Sequence, residues 1–124
     1  MTGLSLVNDA LIEVAALVTD FDLNVLGDGV DVVIKPPAES LDQMDPFVRQ
    51  MHTTSGLLDV LNDGVSLADA EDAVLSYLSA HCAEGSRPPL AGNSVGTDRN
   101  FIARDLPALD AYLHYRIVDV SSVK

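Results

Sequence analysis

Leu90-Ala91-Gly92-Asn93-Ser94-Val95-Gly96-Thr97-Asp98 is the stretch whose reading decides the fold. A short apolar run breaks at Gly92, passes through polar residues and a second glycine, and delivers Asp98 at the start of the helix-like segment Arg99 to Leu106. That is how a strand end presents a carboxylate. By spacing alone Asp98 reads either as a helix cap, the commoner role for such a residue, or as a metal ligand. No Gly-x-Ser-x-Gly elbow is present, and none of the three histidines pairs with a serine or cysteine in a recognised catalytic motif. Gly92 and Gly96 do not make a phosphate loop, because no Gly-Lys-Ser/Thr follows them.

Downstream, Phe101, Ile102 and Leu106 point inward, Pro107 starts a helix to Leu113, and Tyr115-Arg116-Ile117-Val118 reads as a short strand ending at Asp119. Ser121 and Ser122 read as caps of a further helix. Upstream, Ser66 opens the clearest helix, with Leu67, Ala70, Val74, Leu75 and Leu78 on one face and Asp69, Glu71 and Asp72 in its first two turns. Ser40 to Asn62 is helical in short pieces, with Asp45 capping a helix that starts at Pro46 and Thr53-Thr54-Ser55-Gly56 as a break.

The segment Leu11 to Thr19 fits a helix face or a buried strand. The β-branched cluster Val30, Val32, Val33 and Ile34 needs a partner strand, and so favours an antiparallel pair kinked at Gly27-Asp28-Gly29. Met1-Thr2-Gly3-Leu4 reads as the exit of a strand. Strands alternating with helices in the second half indicate α/β architecture.

At 124 residues the chain is one domain at most, and a complete chain of this size buries about two-thirds of its unfolded surface. No apolar run approaches the roughly 20 residues of a membrane span, and no basic start leads into a signal core; the chain reads as soluble, cytoplasmic and without a membrane partner. The lone Cys82 has no disulfide or zinc partner. A formal charge of −12, from nineteen acidic and seven basic residues, argues against a grip on long nucleic acid. A short anionic ligand, or no nucleic acid at all, fits better.

Five stretches together resemble a known family: Met1-Thr2-Gly3-Leu4, Glu13 to Asp20, His52-Thr53-Thr54-Ser55-Gly56-Leu57, Gly92 to Arg99, and His114-Tyr115-Arg116-Ile117-Val118-Asp119-Val120-Ser121. They occur in the order found in the oligoribonucleases, a branch of the DEDD-type 3′-to-5′ exonucleases. The resemblance implies an RNase H-like mixed sheet flanked by helices, incomplete here as a single partial domain over residues 1–124. Its central first strand and its C-terminal helices are expected to be missing. It implies exonucleolytic removal of nucleotides from short oligoribonucleotides, down to dinucleotides. In the family, four acidic residues hold two Mg2+ or Mn2+ ions, while a histidine serves as base.

Asp98 matches the second acidic motif and is the expected metal ligand. The Asp-x-Glu of the first motif is expected before Met1, and the histidine and last aspartate of the third beyond Lys124. His52, His81 and His114 match no part of that third motif, so the chain itself is expected to be inactive. The resemblance also implies that Leu4 wedges against terminal bases and His52 approaches the sugar-phosphate. Ser94, Arg116, Ser121 and Ser122 are implied to cap a 5′-phosphate. Tyr115 is implied to stack on a base across a homodimer, an interaction worth roughly 1–3 kcal/mol. Phe47 stands where a tryptophan is expected. The residues by themselves also allow a non-catalytic short-nucleotide-binding module, or an acidic protein-interaction domain, on the same scaffold.

Overall fold

Side chains alternate along Glu13–Thr19, strand β1, with Val14, Ala16 and Val18 turned inward and the residues between them exposed. The chain then reverses at Asp20, whose Oδ1 accepts hydrogen bonds from the Asp22 and Asn24 amides at 2.9 Å. It returns as β2, Val25–Val33, antiparallel to β1. The computed structural model describes residues 1–123.

The β1–β2 register explains the glycines. Ala16 faces Val30 and Val18 faces Leu26, so Gly27, Asp28 and Gly29 bulge opposite Leu17, where the sequence predicts a kink. Gly27 sits at φ +71°, and a Cβ there would fall 2.5 Å from Nε2 of His81. The Tyr77 hydroxyl bridges the facing pair beside the bulge. It donates to the Leu26 carbonyl at 2.7 Å and accepts from the Val18 amide at 2.9 Å. The Tyr77 and His81 rings lie 4.9 Å apart, so one turn of helix closes over the irregular part of the hairpin.

Short helices follow: α1 (Ala38–Asp42), α2 (Pro46–Thr54) and α3 (Leu57–Val60). Asp45 accepts from the Phe47 amide at 2.9 Å with Pro46 in the first helical position, as the sequence predicts. The long helix α4, Leu67–His81, is capped by Ser66 Oγ, which accepts from the Asp69 amide at 3.1 Å. Its Ala70, Val74 and Leu78, spaced at i, i+4 and i+8, are buried against Val14, Val18, Val30 and Val32 of the hairpin. Leu67, expected on that face, is exposed in the first turn.

The second half is β3 (Leu90–Gly92), α5 (Val95–Asp105), α6 (Pro107–Tyr112) and β4 (Ile117–Asp119), with β3 and β4 parallel. Helices connect the parallel strands, as such a pairing requires. Phe101, Ile102, Leu106, Leu109 and Leu113 join the face of α4 in the main core, while Ile12, Leu57 and Leu61 form a smaller one. Glu71 of α4 accepts from the Ala108 and Leu109 amides at 2.9 and 3.2 Å, satisfying two of the donors that the first turn of α6 leaves open.

The result is the expected mixed α/β arrangement, with a local difference at the start of α5. The strand that Met1 to Leu4 is expected to leave falls outside the described residues; within them Thr2 folds back, its hydroxyl donating to Asp9 and accepting from the Ala10 amide. Helix α5 starts at Val95 rather than Arg99, because the turn closes one residue after Ser94. Ser121 and Ser122 lie in a single 3-10 turn, Val120–Ser122, capped by Asp119, and the helix they are expected to start lies outside the described residues.

The two sheets remain separate, each of two strands. Between them lies a groove of about 1500 Å³, lined by every residue of β1, by Leu90 and Ala91 of β3, and by Val74, Leu78, Ile102, Leu109 and Leu113. Successive strand residues face opposite ways, so a groove that touches all of them runs along the edge of β1. Its backbone groups there have no strand partner among the described residues.

Two outcomes are expected. On heating, the 124-residue chain should scatter light, with a midpoint that falls as concentration rises; a single cooperative transition independent of concentration would count against open edges. Tyr77→Phe should strip the Val18 amide and the Leu26 carbonyl of their partner at a cost of about 1 kcal/mol. Faster hydrogen exchange at the Val18 amide, in dilute cold solution, is the measurement that reads it.

Candidate functional site

The turn between β3 and α5 is tight enough to put Ser94, a non-glycine residue, in the left-handed region at φ 50° and ψ 37°. That conformation costs roughly 1–2 kcal/mol and needs support from outside the turn. The support is Asp119 at the end of β4, whose Oδ1 accepts from the Ser94 amide at 3.1 Å. The same oxygen accepts from the Ser121 amide at 3.0 Å and from the Ser121 hydroxyl. These bonds, the Ser121 hydroxyl foremost, hold the Asp119 carboxyl below the usual carboxylate range.

A second tie, one turn along α5, joins that helix to α6 and to the loop that leads into β4. Arg99 donates through Nε to Asp110 Oδ1 at 2.7 Å, through Nη2 to the Asp110 carbonyl at 3.2 Å and through Nη1 to the His114 carbonyl at 2.8 Å. Beyond His114 the chain is open to solvent. Tyr115 is exposed and stacks on His114 with ring centroids 4.5 Å apart, and the Arg116 guanidinium carbon lies 5.5 Å from the Tyr115 ring centroid. Among the described residues Arg116 makes no ion pair, so its charge is available to an anion.

Asp98 stands in the first turn of α5, half-buried at the groove between the sheets. Burial pushes its carboxyl above the usual range, and the positive charge of the Met1 ammonium opposes the shift. Glu13 and Asp31 line the same groove. The Glu13 carboxyl is also raised, first by its hydrogen bond with Asp31, then by burial and by the Asp31 charge.

The predicted residues therefore fall into two groups. Ser94 and Ser121 are brought together by Asp119 at the end of β4 with Ser122 next in the chain, while Tyr115 and Arg116 stand before the start of the same strand. Leu4 and His52 belong to the other: Leu4 is exposed in the N-terminal segment, and buried His52 places Nε2 2.8 Å from the Met1 carbonyl. Met1, bonded by His52 and near enough to Asp98 for its charge to act, lies between them. Sequence reasoning missed the two ties. The Asp-x-Ser spacing of Asp119 and Ser121 was the available signal for one, since aspartate commonly bonds the amide two residues on. Nothing local marks Arg99, whose partners lie eleven and fifteen residues away.

The donors present do not make up a two-ion site. Among the described residues no three of His, Cys, Asp or Glu gather closely enough to hold a metal ion. The shift at Asp98 has a consequence for stability. The folded state binds this proton more tightly than the unfolded chain, so ionising Asp98 destabilises the fold, and stability falls as pH rises from the ordinary carboxylate range through the raised value. Asp98→Asn should therefore raise the urea midpoint at neutral pH, and the gain should vanish in acid below that range.

Residues 1–124 match the exonuclease family profile (RNase_T) over their whole length. An oligoribonuclease of Streptomyces griseus is 67% identical over 124 residues, covering 100% of this chain and 62% of the relative. Oligoribonucleases of Cutibacterium acnes and Leifsonia xyli subsp. xyli are 59% and 56% identical over the same 124 residues, covering 61% and 60% of those relatives. The chain thus spans about three-fifths of the length of the curated relatives it matches. With helices and sheets in the arrangement described and a family match from end to end, the chain belongs to the exonuclease family.

Proposed function

We propose that this chain provides the 5′-end pocket and one metal ligand of a 3′-to-5′ exoribonuclease that degrades short oligoribonucleotides, down to dinucleotides. The observation that carries this reading is the tied Ser94–Asp119–Ser121 cluster at the far end of β4, with Arg116, which makes no ion pair among the described residues, immediately before the start of that three-residue strand. A guanidinium and several hydroxyls carried by one short strand and the turns that flank it are the groups a terminal phosphate takes. A closed end, rather than a basic track, suits a ligand of few phosphates and is compatible with a chain of charge −12.

In this reading Arg116 pairs with the 5′-phosphate, and Ser94, Ser121 and Ser122 complete its hydrogen bonds. Tyr115, exposed and already stacked on His114, offers a face to a base in the partner protomer of a homodimer. Leu4, apolar and exposed, wedges against the bases at the other end of the ligand. For His52 to reach a sugar-phosphate, Nε2 must release the Met1 carbonyl or Nδ1 must make the contact. Asp98 supplies one carboxylate towards Mg2+ or Mn2+. Because the remaining ligands are not gathered among the described residues, no hydrolytic step is assigned to them. No helix among the described residues is long and apolar enough to cross a membrane, and the cytoplasm is the proposed compartment.

Mixing the chain with a labelled, 5′-phosphorylated diribonucleotide and Mn2+ tests the reading. Binding is expected, weakened about tenfold or more by Arg116→Ala through loss of a charged hydrogen-bonding group, with negligible turnover. Absence of binding to any such dinucleotide would sink the pocket. Turnover that Asp98→Ala abolishes would show instead that the chain holds a complete catalytic centre.

A further inference from the structure

Asp119 presents a puzzle beside a pocket for phosphate. Its carboxylate stands among the donors a phosphate would use, and like charges repel. Oδ1 accepts from the Ser94 amide, the Ser121 amide and the Ser121 hydroxyl, so the proton that Ser121 could offer to a phosphate oxygen already points at Asp119.

Geometry and charge can be separated here. Holding Ser94 in its left-handed turn, and holding that turn against the turn after β4, requires an acceptor oxygen at this place. It does not require a negative charge, since an amide oxygen accepts the same bonds. The charge does something else: it strengthens the hold on the Ser121 proton and repels a second anion.

Resting on the pocket reading above, we propose that Asp119 is a positioning residue with two opposed effects on the 5′-phosphate. Through its acceptor oxygen it sets Ser94 and Ser121 against each other. Through its charge it competes with the phosphate for the Ser121 hydroxyl and limits how tightly the 5′ end is held. On binding, the Ser121 hydroxyl rotates from Asp119 to a phosphate oxygen, while the two amide bonds to Asp119 remain. For an enzyme that must release a 5′-nucleotide, a pocket restrained in this way does not become a trap.

The test compares the affinity of the 124-residue chain for 5′-phosphorylated and 5′-hydroxyl diribonucleotides, by fluorescence anisotropy in dilute cold solution, for wild type, Asp119→Asn and Asp119→Ala. Wild type is expected to prefer the phosphorylated ligand. Asp119→Asn keeps the acceptor and loses the charge, so its preference should exceed that of wild type, and an equal preference overturns the role given to the charge. Asp119→Ala should lose most of the preference, with faster hydrogen exchange at the Ser94 amide as an independent sign that the tie has broken. A preference retained in Asp119→Ala overturns the positioning role alone. A fall in Asp119→Asn as deep as in Asp119→Ala overturns the separation of geometry from charge. No preference in wild type overturns the pocket and this inference with it.

Discussion

Helix α4 holds the halves of this molecule together, because no backbone pairing joins the two sheets among the described residues. One face of it, Ala70, Val74 and Leu78, meets the inward side chains of the β1–β2 hairpin and, through the same core, Ile102, Leu109 and Leu113 of the second half. Hydrogen bonds add two directional ties to that burial: Tyr77 to the hairpin and Glu71 to the start of α6. Apolar packing is strong but not directional, so polar ties at each end of one helix are what give the packed elements a unique setting.

The site depends on this arrangement at one remove. Asp98 owes its partial burial to the groove beneath which α4 lies, and the Ser94 turn owes its shape to a strand that arrives after two helices. Burial raises the carboxyl of Asp98, whereas hydrogen bonding lowers that of Asp119. Two aspartates near opposite ends of neighbouring elements are thereby given different chemistry. The half-buried one is uncomfortable as an isolated anion and suited to a cation; the hydrogen-bonded one is stable as an anion and suited to holding backbone.

Much of this was legible in the sequence where local rules dominate. The β-branched run before Pro36, the paired glycines at 27 and 29, the Asp45-Pro46 start and the Ser66 cap each carry a local physical signal, and the hairpin, its bulge and two helix starts follow from them. What remained hidden depends on residues far apart in the chain. The hydroxyl of Tyr77 finds its partners 59 and 51 residues away, and Asp119 finds Ser94 at a separation of 25. At the N-terminal end, the buried Thr2 hydroxyl is engaged by Asp9 and Ala10, a bond that the Thr-Gly pair does not announce. Among the proposed site residues, the motifs named Ser94 and Ser121, whereas the tie between them required the fold.

The contact of His81 with Gly27 reaches beyond the hairpin. With the imidazole where a Cβ would sit and the backbone at φ +71°, the glycine and the last turn of α4 form one interlocking unit. Substitutions at these two positions are therefore epistatic. A smaller residue at 81 opens space that an added methyl at 27 could occupy, yet the left-handed backbone still disfavours that methyl. Sequence drift is freer at the helix than at the bulge, and the hairpin's kink is the more constrained partner of the two.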